Sequence, residues 1–328
     1  MALARAICLG EIVIDCFAQQ SGLSGSEVTN WIPLPGGAPA NVACGLVKLG
    51  AQADFIGAVG SDHWGTALIR LLADMGVGYS GVQTRMKAPT RQVFVTRNQQ
   101  GDHTFAGFSE NDPTVFADAH LFADAIDPML FVGASFLVLG TVSLAYEDTR
   151  QSVDQAVRLA AGQGMTVLVD VNWRPMFWPH PAEAPGRVYD LIKQAQFLKV
   201  STDEAEWLFG TQSAGAIARQ LPHLQGVLVT AGAEGCHYWI MGNAGTIPGF
   251  LVDVEETTGA GDAFTAGFVR QLMHTGVACM RDEAIARKAV VYASAVAALT
   301  TTRPGAIAAL PTPKEIEVFL YLNSSLSE

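Results

Sequence analysis

The chain has 328 residues, of which 49% are hydrophobic and 16% are charged. This composition supplies enough apolar side chains for a large core and excludes an intrinsically disordered chain. The formal net charge of −11 argues against a nucleic acid as a partner, because proteins that bind nucleic acids carry a basic stripe.

Short apolar segments alternate with longer amphipathic ones along most of the chain. The segments that predict buried strands are 6–15, 53–59, 135–142, 165–171, 195–201 and 226–232. The segments that predict helices are 40–49, 65–75, 149–162, 185–195, 203–209, 260–276 and 281–300. This alternation is typical of a parallel sheet with helices on both faces. No linker or repeat interrupts it, so we expect residues 1–328 to form a single α/β domain.

Two segments break the alternation. Residues 16–34 follow the first strand without a helix, and residues 90–108 suggest two strands around the polar turn QQGD. Strands outside the main rhythm predict a small second sheet, which would form a lid at the carboxyl edge of the main one. The lid segments carry the apolar residues Trp31, Ile32, Val93 and Phe94. These residues either pair two lids into a homodimer or pack on the chain's own core.

The cysteines and the apolar stretches indicate in which cellular compartment the protein is found. The five cysteines are scattered and never form a CxxC pair, which is typical of reduced thiols in a cytosolic protein. Residues 1–15 lack the apolar region and cleavage site of a signal peptide. The longest apolar stretch, around 131–146, is shorter than the ~20 residues of a membrane-spanning helix. We expect a cytoplasmic protein without membrane contact.

The most informative motif is ETTGAGDAF at 256–264, where an extended segment turns into a predicted helix. Its glycines let the backbone approach a ligand, so that the N–H groups of Gly259, Ala260 and Gly261 form an anion hole at the positive end of the helix dipole. Such a hole suits a transferring phosphoryl group. Asp262, on the first turn, would accept the proton of an attacking hydroxyl. The alternative is an ordinary capped helix start without a ligand.

A second glycine cluster, Gly36-Gly37, precedes the predicted helix 40–49. Its bare backbone suits a polyol, and the amide of Asn41 could bind the polyol's hydroxyls. Asp15 ends the first predicted strand and could accept two sugar hydroxyls at the sheet edge. An ordinary turn before a helix remains the alternative for this cluster.

Together these motifs resemble the PfkB (ribokinase-like) carbohydrate kinase family over about 5–315, and within it the fructokinases. The segments that recur in order are GEIVID, PGGAPANVA, LGAQADFIGAVGSDHWG, DVNWRPMFWP, KVSTDEAEWLFG, VTAGAEGC, ETTGAGDAF and RPGAIAALPT. The resemblance implies a ribokinase-like three-layer sandwich with a mostly parallel central sheet, flanking helices and a small β-sheet lid. It also implies transfer of the γ-phosphoryl group of ATP to a hydroxyl of a small sugar, with fructose as the expected sugar and Mg²⁺ as the metal ion.

The resemblance assigns roles to individual residues, with Asp262 as the catalytic base beside the anion hole at 259–262. It places sugar contacts at Asp15, Gly36, Gly37, Asn41 and Arg91, and phosphate contacts near the transfer point at Asn172 and Arg174. It places nucleotide contacts at Lys199, Thr230, Gly232 and Gly235, with Ser294 where an adenine-pocket Asn is frequent. It assigns Mg²⁺, held through water, to Glu204, and K⁺ as a candidate monovalent cation to Glu256, Thr258 and Gly305.

Two departures from the family pattern bear on function. Glu256 stands where the family usually has Asp, and its longer side chain would reposition or weaken a monovalent-cation site. The lid segment AGFSENDP lacks an arginine that fructokinases often carry, which bears on the choice of sugar.

Other functions fit the sequence less well. A dinucleotide-dependent oxidoreductase would need GxGxxG after the first strand, where the chain has GEIVIDC, and GSDHWGT at 60–66 lacks the lysine of a P-loop. The seven histidines never fall in an HxxxH spacing, which argues against a histidine-ligated metal enzyme. The remaining alternatives are a kinase of 2-keto-3-deoxygluconate, ribose or a nucleoside, and a sugar-binding regulator that has lost turnover.

Overall fold

The structure is a computed structural model that describes residues 4–20, 22–97 and 103–323. The predicted QQGD turn at 99–102 lies outside the described residues. The strands are Arg5–Leu9 (β1), Val13–Ala18 (β2), Trp31–Gly36 (β3), Gln52–Gly60 (β4), Gly78–Arg85 (β5), Gln92–Arg97 (β6), His103–Phe108 (β7), Phe136–Leu139 (β8), Thr166–Asp170 (β9), Phe197–Ser201 (β10), Gly226–Thr230 (β11), Gly235–Ile240 (β12) and Asn243–Pro248 (β13). The α-helices are Ala38–Lys48 (α1), His63–Met75 (α2), Glu147–Gly162 (α3), Ala184–Ile192 (α4), Thr202–Phe209 (α5), Ala214–Gln220 (α6), Ala260–Thr275 (α7), Glu283–Thr300 (α8) and Pro313–Leu322 (α9).

Nine strands form the central sheet in the order β13-β12-β11-β10-β9-β8-β1-β4-β5. The pairings from β11 to β5 are parallel, and only the β11-β12 and β12-β13 pairings within the described residues of this sheet are antiparallel. Connections between parallel strands need crossovers, which the helices supply. The predicted mostly parallel sheet flanked by helices is therefore confirmed.

The predicted first strand, 6–15, is wrong as a single element. Its first half, β1, pairs with β4 and β8 in the central sheet, whereas its second half, β2, pairs with β3 and β6 in a second sheet. The chain therefore passes from the central sheet to the second sheet between Leu9 and Val13. An apolar run shows that a segment is buried, but it does not show which strands are its neighbours.

The second sheet has four strands in the order β3-β2-β6-β7, and we refer to it as the lid. Because side chains alternate across a strand, Asp15 and Phe17 share one face of the lid with Val93 and Val95. The opposite face carries Trp31 and Phe94, whose rings meet edge to face with centroids 4.8 Å apart. The lid therefore presents one face to a ligand cavity and another away from it.

Two apolar cores lie on the two faces of the central sheet. In β1, Ala6 and Cys8 pack with the cluster that contains α1, α7 and α8, whereas Ile7 and Leu9 pack with the cluster that contains α3, α4 and α6. This alternation completes the three layers and leaves the strand ends as the place for a ligand. Among the described helices, none combines the length and the apolar character that crossing a bilayer requires.

Candidate active site

A cavity of about 590 Å³ lies between the lid and the carboxyl ends of the central strands. The lid lines it with Val13, Asp15, Phe17, Val93, Val95 and Phe105. The sheet contributes Lys199 and Ser201 from β10 and Thr230 from β11, and the start of α7 contributes Gly259, Gly261 and Asp262. Ligands of open parallel sheets bind at this edge, so the cavity occupies the expected position.

Asp262 lies on the first turn of α7, and its carboxylate is held in place from another helix. The side-chain amide of Asn41, on α1, donates a hydrogen bond to Asp262 Oδ2 over 2.8 Å. Burial raises the pKa of Asp262 to about 6, although the Asn41 hydrogen bond and the positive charges of Lys199 and Arg174 oppose the rise. A carboxyl with this pKa is mostly ionised at neutral pH and is basic enough to accept a proton.

Asp15 is the second carboxyl of the cavity. Burial raises its pKa to about 7, the negative charge of Asp262 adds to the rise, and the positive charge of Arg174 opposes it. Gly36, on the neighbouring strand β3, makes room for this carboxylate, because a Cβ there would meet Asp15 Oδ2 at 1.9 Å. Only a glycine at position 36 leaves room for the Asp15 carboxylate. The predicted contact of Gly36 with the sugar stays a prediction.

Gly37, Ala38 and Glu11 close the cavity next to Asp15. The carboxyl of Glu11 is buried, and its Oε1 accepts a hydrogen bond from the N–H of Ala38 over 3.1 Å. Burial raises the pKa of Glu11 to about 8, so this group is mostly protonated at neutral pH. The sequence analysis missed Glu11, since a lone acid between two strand segments has no distinctive spacing.

The predicted anion hole lies where α7 begins. Gly259 precedes the helix with φ 78, in the left-handed region, and a Cβ there would meet Ala306 Cβ at 2.6 Å. Gly261 faces the ammonium of Lys199, since a Cβ would lie 3.1 Å from its Nζ. The N–H of Ala260 donates to the carbonyl of Thr257 over 3.2 Å, so the predicted role of Ala260 in the anion hole is wrong. The helix dipole, the Lys199 charge and the backbone at Gly259 and Gly261 remain at this place.

Lys199 is held there by a network that the sequence analysis did not identify. Its Nζ donates to Asp170 Oδ1 over 3.0 Å, and the hydroxyl of Thr265 donates to Asp170 Oδ2 over 2.8 Å. Burial alone would lower the pKa of Lys199, but the charges of Asp170 and Glu204 outweigh burial and raise it. Lys199 therefore remains a cation beside the anion hole. No motif joins these residues, because Asp170 and Thr265 are 95 positions apart.

The segment after β9 brings Asn172 and Arg174 to the cavity, as predicted from the family pattern. Asn172 has φ 41, in the left-handed region that residues other than glycine rarely adopt, and such backbone often marks a functional site. Arg174 donates to the carbonyl of Trp173 over 2.9 Å, and its charge acts on both cavity aspartates.

Glu204 lies at the start of α5 and lines the same cavity. One of its carboxylate oxygens accepts from the N–H of Trp173 over 2.6 Å, and the other accepts from the N–H of Ser201 over 2.7 Å. Each oxygen keeps a second lone pair, which suits contact with a metal ion through water rather than direct coordination. Glu204 thus fits the Mg²⁺ role that the resemblance implied. Within the described ranges, no cluster of three or more His, Cys, Asp or Glu side chains forms a direct metal site.

A second cavity of about 430 Å³ adjoins the first. The two cavities share Thr230, Thr257 and Gly261, so they meet at the anion hole. Gly232, Gly235 and Ser294, three of the predicted nucleotide contacts, line the second cavity, whereas Lys199 lines the first. The second cavity has room for a nucleoside whose phosphates extend to Gly261.

The proposed monovalent-cation residues lie around the loop before α7. Glu256 Oε1 accepts from the hydroxyl of Thr258 over 2.8 Å, and its Oε2 pairs with Arg97 of the lid over 2.5 Å. Gly305 lies next to Ala306, which contacts Gly259, but it lines neither of the two cavities just described. The carboxylate that the sequence analysis assigned to K⁺ is thus bound by a guanidinium.

The predicted sugar contact of Arg91 is wrong. Its side chain is 1% exposed and forms an ion pair with Asp118, with Nε to Oδ2 at 2.8 Å. Its guanidinium carbon also lies 4.9 Å from the ring centre of Phe177, which does line the cavity. Arg91 therefore supports the cavity wall from behind and does not reach a ligand. An arginine at a strand start looks the same in sequence whether it faces a ligand or a buried acid.

Comparisons with known proteins agree with this geometry. A model of the pfkB family carbohydrate kinases matches residues 3–313. The probable fructokinase-5 of Arabidopsis thaliana is 34% identical over 321 residues, which cover 97% of this chain and 98% of that protein.

Solved structures extend the agreement to three dimensions. The fructokinase of Xylella fastidiosa with bound ATP superposes with a TM-score of 0.89 at 28% identity, covering 98% of this chain and 99% of that one. The fructokinase of Vibrio cholerae O395 in its fructose-, ADP- and calcium-bound form gives 0.82 at 28% identity, covering 97% and 99%. The predicted ribokinase-like fold is confirmed.

Proposed function

Since the chain belongs to the pfkB family of carbohydrate kinases, we propose that it transfers the γ-phosphoryl group of ATP to a hydroxyl of fructose. One observation supports the proposal most. Asp262 lines the first cavity next to Gly261, which both cavities share, and Asn41 donates a hydrogen bond to its carboxylate. Phosphoryl transfer needs charge stabilisation and an oriented nucleophile, and this place supplies both.

The proposed reaction begins with the sugar between the lid and the sheet edge, where Asp15 and Asn41 bind its hydroxyls. ATP lies in the second cavity with its γ-phosphate at Gly261. Asp262 accepts the proton of the attacking sugar hydroxyl. The hydroxyl oxygen bonds to the γ-phosphorus as the bond between that phosphorus and the leaving ADP oxygen breaks. The N–H groups of Gly259 and Gly261, with Lys199 and Arg174, share the charge that develops on the phosphoryl oxygens.

Mg²⁺ is the proposed metal ion, held near Glu204 through water, where it would neutralise charge on the ATP phosphates. The lid excludes water from the site, which protects ATP from hydrolysis while the sugar is in place.

Fructose is proposed as the sugar because the relatives that match nearly the whole chain are named as fructokinases. The same cavity chemistry would serve 2-keto-3-deoxygluconate, ribose or a nucleoside, since carboxylates and amides bind hydroxyls of any polyol. A regulator without turnover is disfavoured because Asp262, Gly261 and Glu204 all line one cavity.

The deciding experiment is ADP release by the purified protein with Mg-ATP against fructose, ribose, adenosine, inosine, 2-keto-3-deoxygluconate and fructose 6-phosphate. We expect fructose to give the highest kcat/KM of this panel. Higher kcat/KM with another sugar would keep the mechanism and reject fructose. If folded protein binds ATP but phosphorylates no member of the panel, the regulator alternative replaces the kinase proposal.

The proposal extends to the state of the protein in the cell. Trp31 and Phe94 pack against the chain's own core, so we propose that the chain acts as one domain with its lid and forms a homodimer through the edge strand β3 of the lid. Ile32 on this strand is 45% exposed, which leaves apolar surface on the lid for a second copy to cover. A cytoplasmic location is supported by free thiols at Cys8, Cys16, Cys44, Cys236 and Cys279.

A further inference from the structure

Arg97 is the last residue of the lid strand β6, and its side chain contacts a residue outside the lid. It follows Val93 and Val95 on the face of the lid that lines the cavity, and its guanidinium carbon lies 5.8 Å from the ring centre of Phe17. Its Nη2 lies 2.5 Å from Oε2 of Glu256, although the two residues are 159 positions apart. This ion pair connects the lid to the loop that leads into α7.

Glu256 in turn binds the residue that precedes the anion hole. Its Oε1 accepts from the hydroxyl of Thr258 over 2.8 Å and from the Thr258 N–H over 3.3 Å. Its own N–H donates to the carbonyl of Thr301 over 3.1 Å. Thr258 immediately precedes Gly259, where the anion hole begins. The direction of the N–H groups of Gly259 and Gly261 therefore depends on where the Glu256 carboxylate is held.

The Glu256 carboxylate needs a positive charge beside it. Its side chain is 6% exposed, and a buried carboxylate without a counter-charge is strongly destabilising. Arg97 supplies that charge from the lid. A monovalent ion at the same carboxylate would compete with a guanidinium of equal charge that is already attached to the protein. The K⁺ site that the sequence analysis placed on Glu256 thus does not fit the residues present.

We propose that Arg97 is a positioning residue that serves as a built-in counter-cation for Glu256 and couples lid closure to the anion hole. When the lid is closed, the ion pair fixes the loop at 256–259 and with it the N–H groups that receive the phosphoryl charge. When the lid opens, the pair breaks and the hole loosens. The turnover part of this inference depends on the proposed kinase function, and the pairing itself does not.

The turnover test compares wild type with Arg97→Met, Arg97→Lys, Glu256→Gln and the double variant Arg97→Met/Glu256→Gln. Each is assayed for kcat and KM in KCl and in choline chloride at the same ionic strength, about 100 mM, so that screening is constant. Arg70→Met is the matched control, because Arg70 is an arginine on the surface with its side chain 82% exposed.

Wild type and the Arg70→Met control should change by less than about twofold between the two salts, within the usual error of additivity. Arg97→Met should lose about 10- to 100-fold in kcat/KM in choline chloride, the range typical of removing a group that orients another. It should recover part of that loss in KCl, because K⁺ can then replace the guanidinium charge beside Glu256. Arg97→Lys should recover more than Arg97→Met. Variants without the Glu256 carboxylate should not respond to K⁺.

A second readout needs no turnover. The thermal midpoints of wild type, both single variants and the double variant form a cycle, and a real pair predicts that the double variant loses less than the sum of the singles. KCl should raise the midpoint of Arg97→Met but not that of wild type. Strong K⁺ activation of wild type, normal turnover of Arg97→Met or an additive cycle would each overturn the inference. Absence of fructose turnover would count against the proposed function, and the thermal cycle would still decide the pairing.

Discussion

The roles of the two cavity aspartates differ because their surroundings differ. Asp262 lies at the helix start beside the anion hole, whereas Asp15 projects from the lid beside Gly36. Both carboxyls are buried, but only Asp262 is oriented by a side-chain amide. We therefore assign proton transfer to Asp262 and sugar binding to Asp15, and substitutions at each should separate the two roles.

Asp262→Asn should lower kcat by about 10²–10⁴, the usual effect of removing a general base. Asparagine keeps an oxygen that can accept the Asn41 hydrogen bond, so sugar and ATP affinity should change little. Steady-state kinetics and calorimetric binding measure the two effects. Asp15→Asn is the matched variant and should mainly raise the KM for the sugar. Near-normal turnover of Asp262→Asn would remove the residue from the mechanism.

The same substitution should not destabilise the fold. Burial raises the pKa of Asp262 from 3.8 to about 6, so the charged form is disfavoured in the folded protein. The contribution of this carboxyl to stability is complete at low pH and is lost as pH rises from 3.8 to 6. Removing the charge should therefore leave the thermal midpoint at pH 7.5 unchanged or raised. A lower midpoint would mean that lost activity reflects unfolding instead.

The pH dependence of kcat/KM should report Asp262. A base must be deprotonated to act, so activity should rise with pH through an apparent pKa of about 6. Asn41→Leu removes the hydrogen bond that opposes the upward shift, so its acid limb should move to higher pH. A pH–rate profile of both proteins measures this difference. An acid limb that Asn41→Leu does not move would indicate that another group controls it.

At the scale of elements, the start of α7 determines where the anion hole points. Gly259 has a positive φ, and a Cβ at this position would lie 2.6 Å from the Cβ of Ala306. Gly276, at the other end of α7, has φ 85, and a Cβ there would have nothing within 4 Å. Alanine at either position should cost about 1–2 kcal/mol, because a left-handed backbone is strained for a residue with a Cβ. Only Gly259→Ala should also displace the helix start and lower kcat. Kinetics with chemical denaturation compare the two variants.

Equal activity of both glycine variants would show that the Gly259 contact with Ala306 is not needed for the anion hole. Loss of kcat in Gly276→Ala alone would contradict the assignment of the hole to this end of the helix.

At the scale of the whole molecule, the lid is where two copies would meet. The proposed dimer should have a molar mass of twice 34.7 kDa in light scattering. Ile32→Glu places a charge on the exposed edge strand β3 of the lid and should yield monomers, because burying an unpaired charge is costly. Met86→Glu is the control, since Met86 is 84% exposed and lies after β5, outside the lid. A wild-type protein that stays monomeric at high concentration would contradict the dimer.

The sequence by itself determined the fold class and predicted the central motif of the candidate site. The alternation of short apolar strands with helices predicts a parallel sheet, because helical crossovers are needed between parallel strands. The string at 256–264 predicts an anion hole with an acid beside it, because all of its groups lie within one turn of a helix start. Such local chemistry can be predicted from spacing alone, since the chain itself sets the distances.

Only the tertiary structure decided which distant residues meet. Asn41 lies 221 positions from Asp262, the proposed base, to which it donates a hydrogen bond, and Arg97 lies 159 positions from Glu256, with which it forms an ion pair. Arg91, expected at the sugar, pairs instead with Asp118 behind the wall. These partners are brought together by sheet order and helix packing, which sequence spacing does not encode. A charged side chain in the sequence is compatible with a ligand, a salt bridge or solvent, and the fold selects among them by its neighbours.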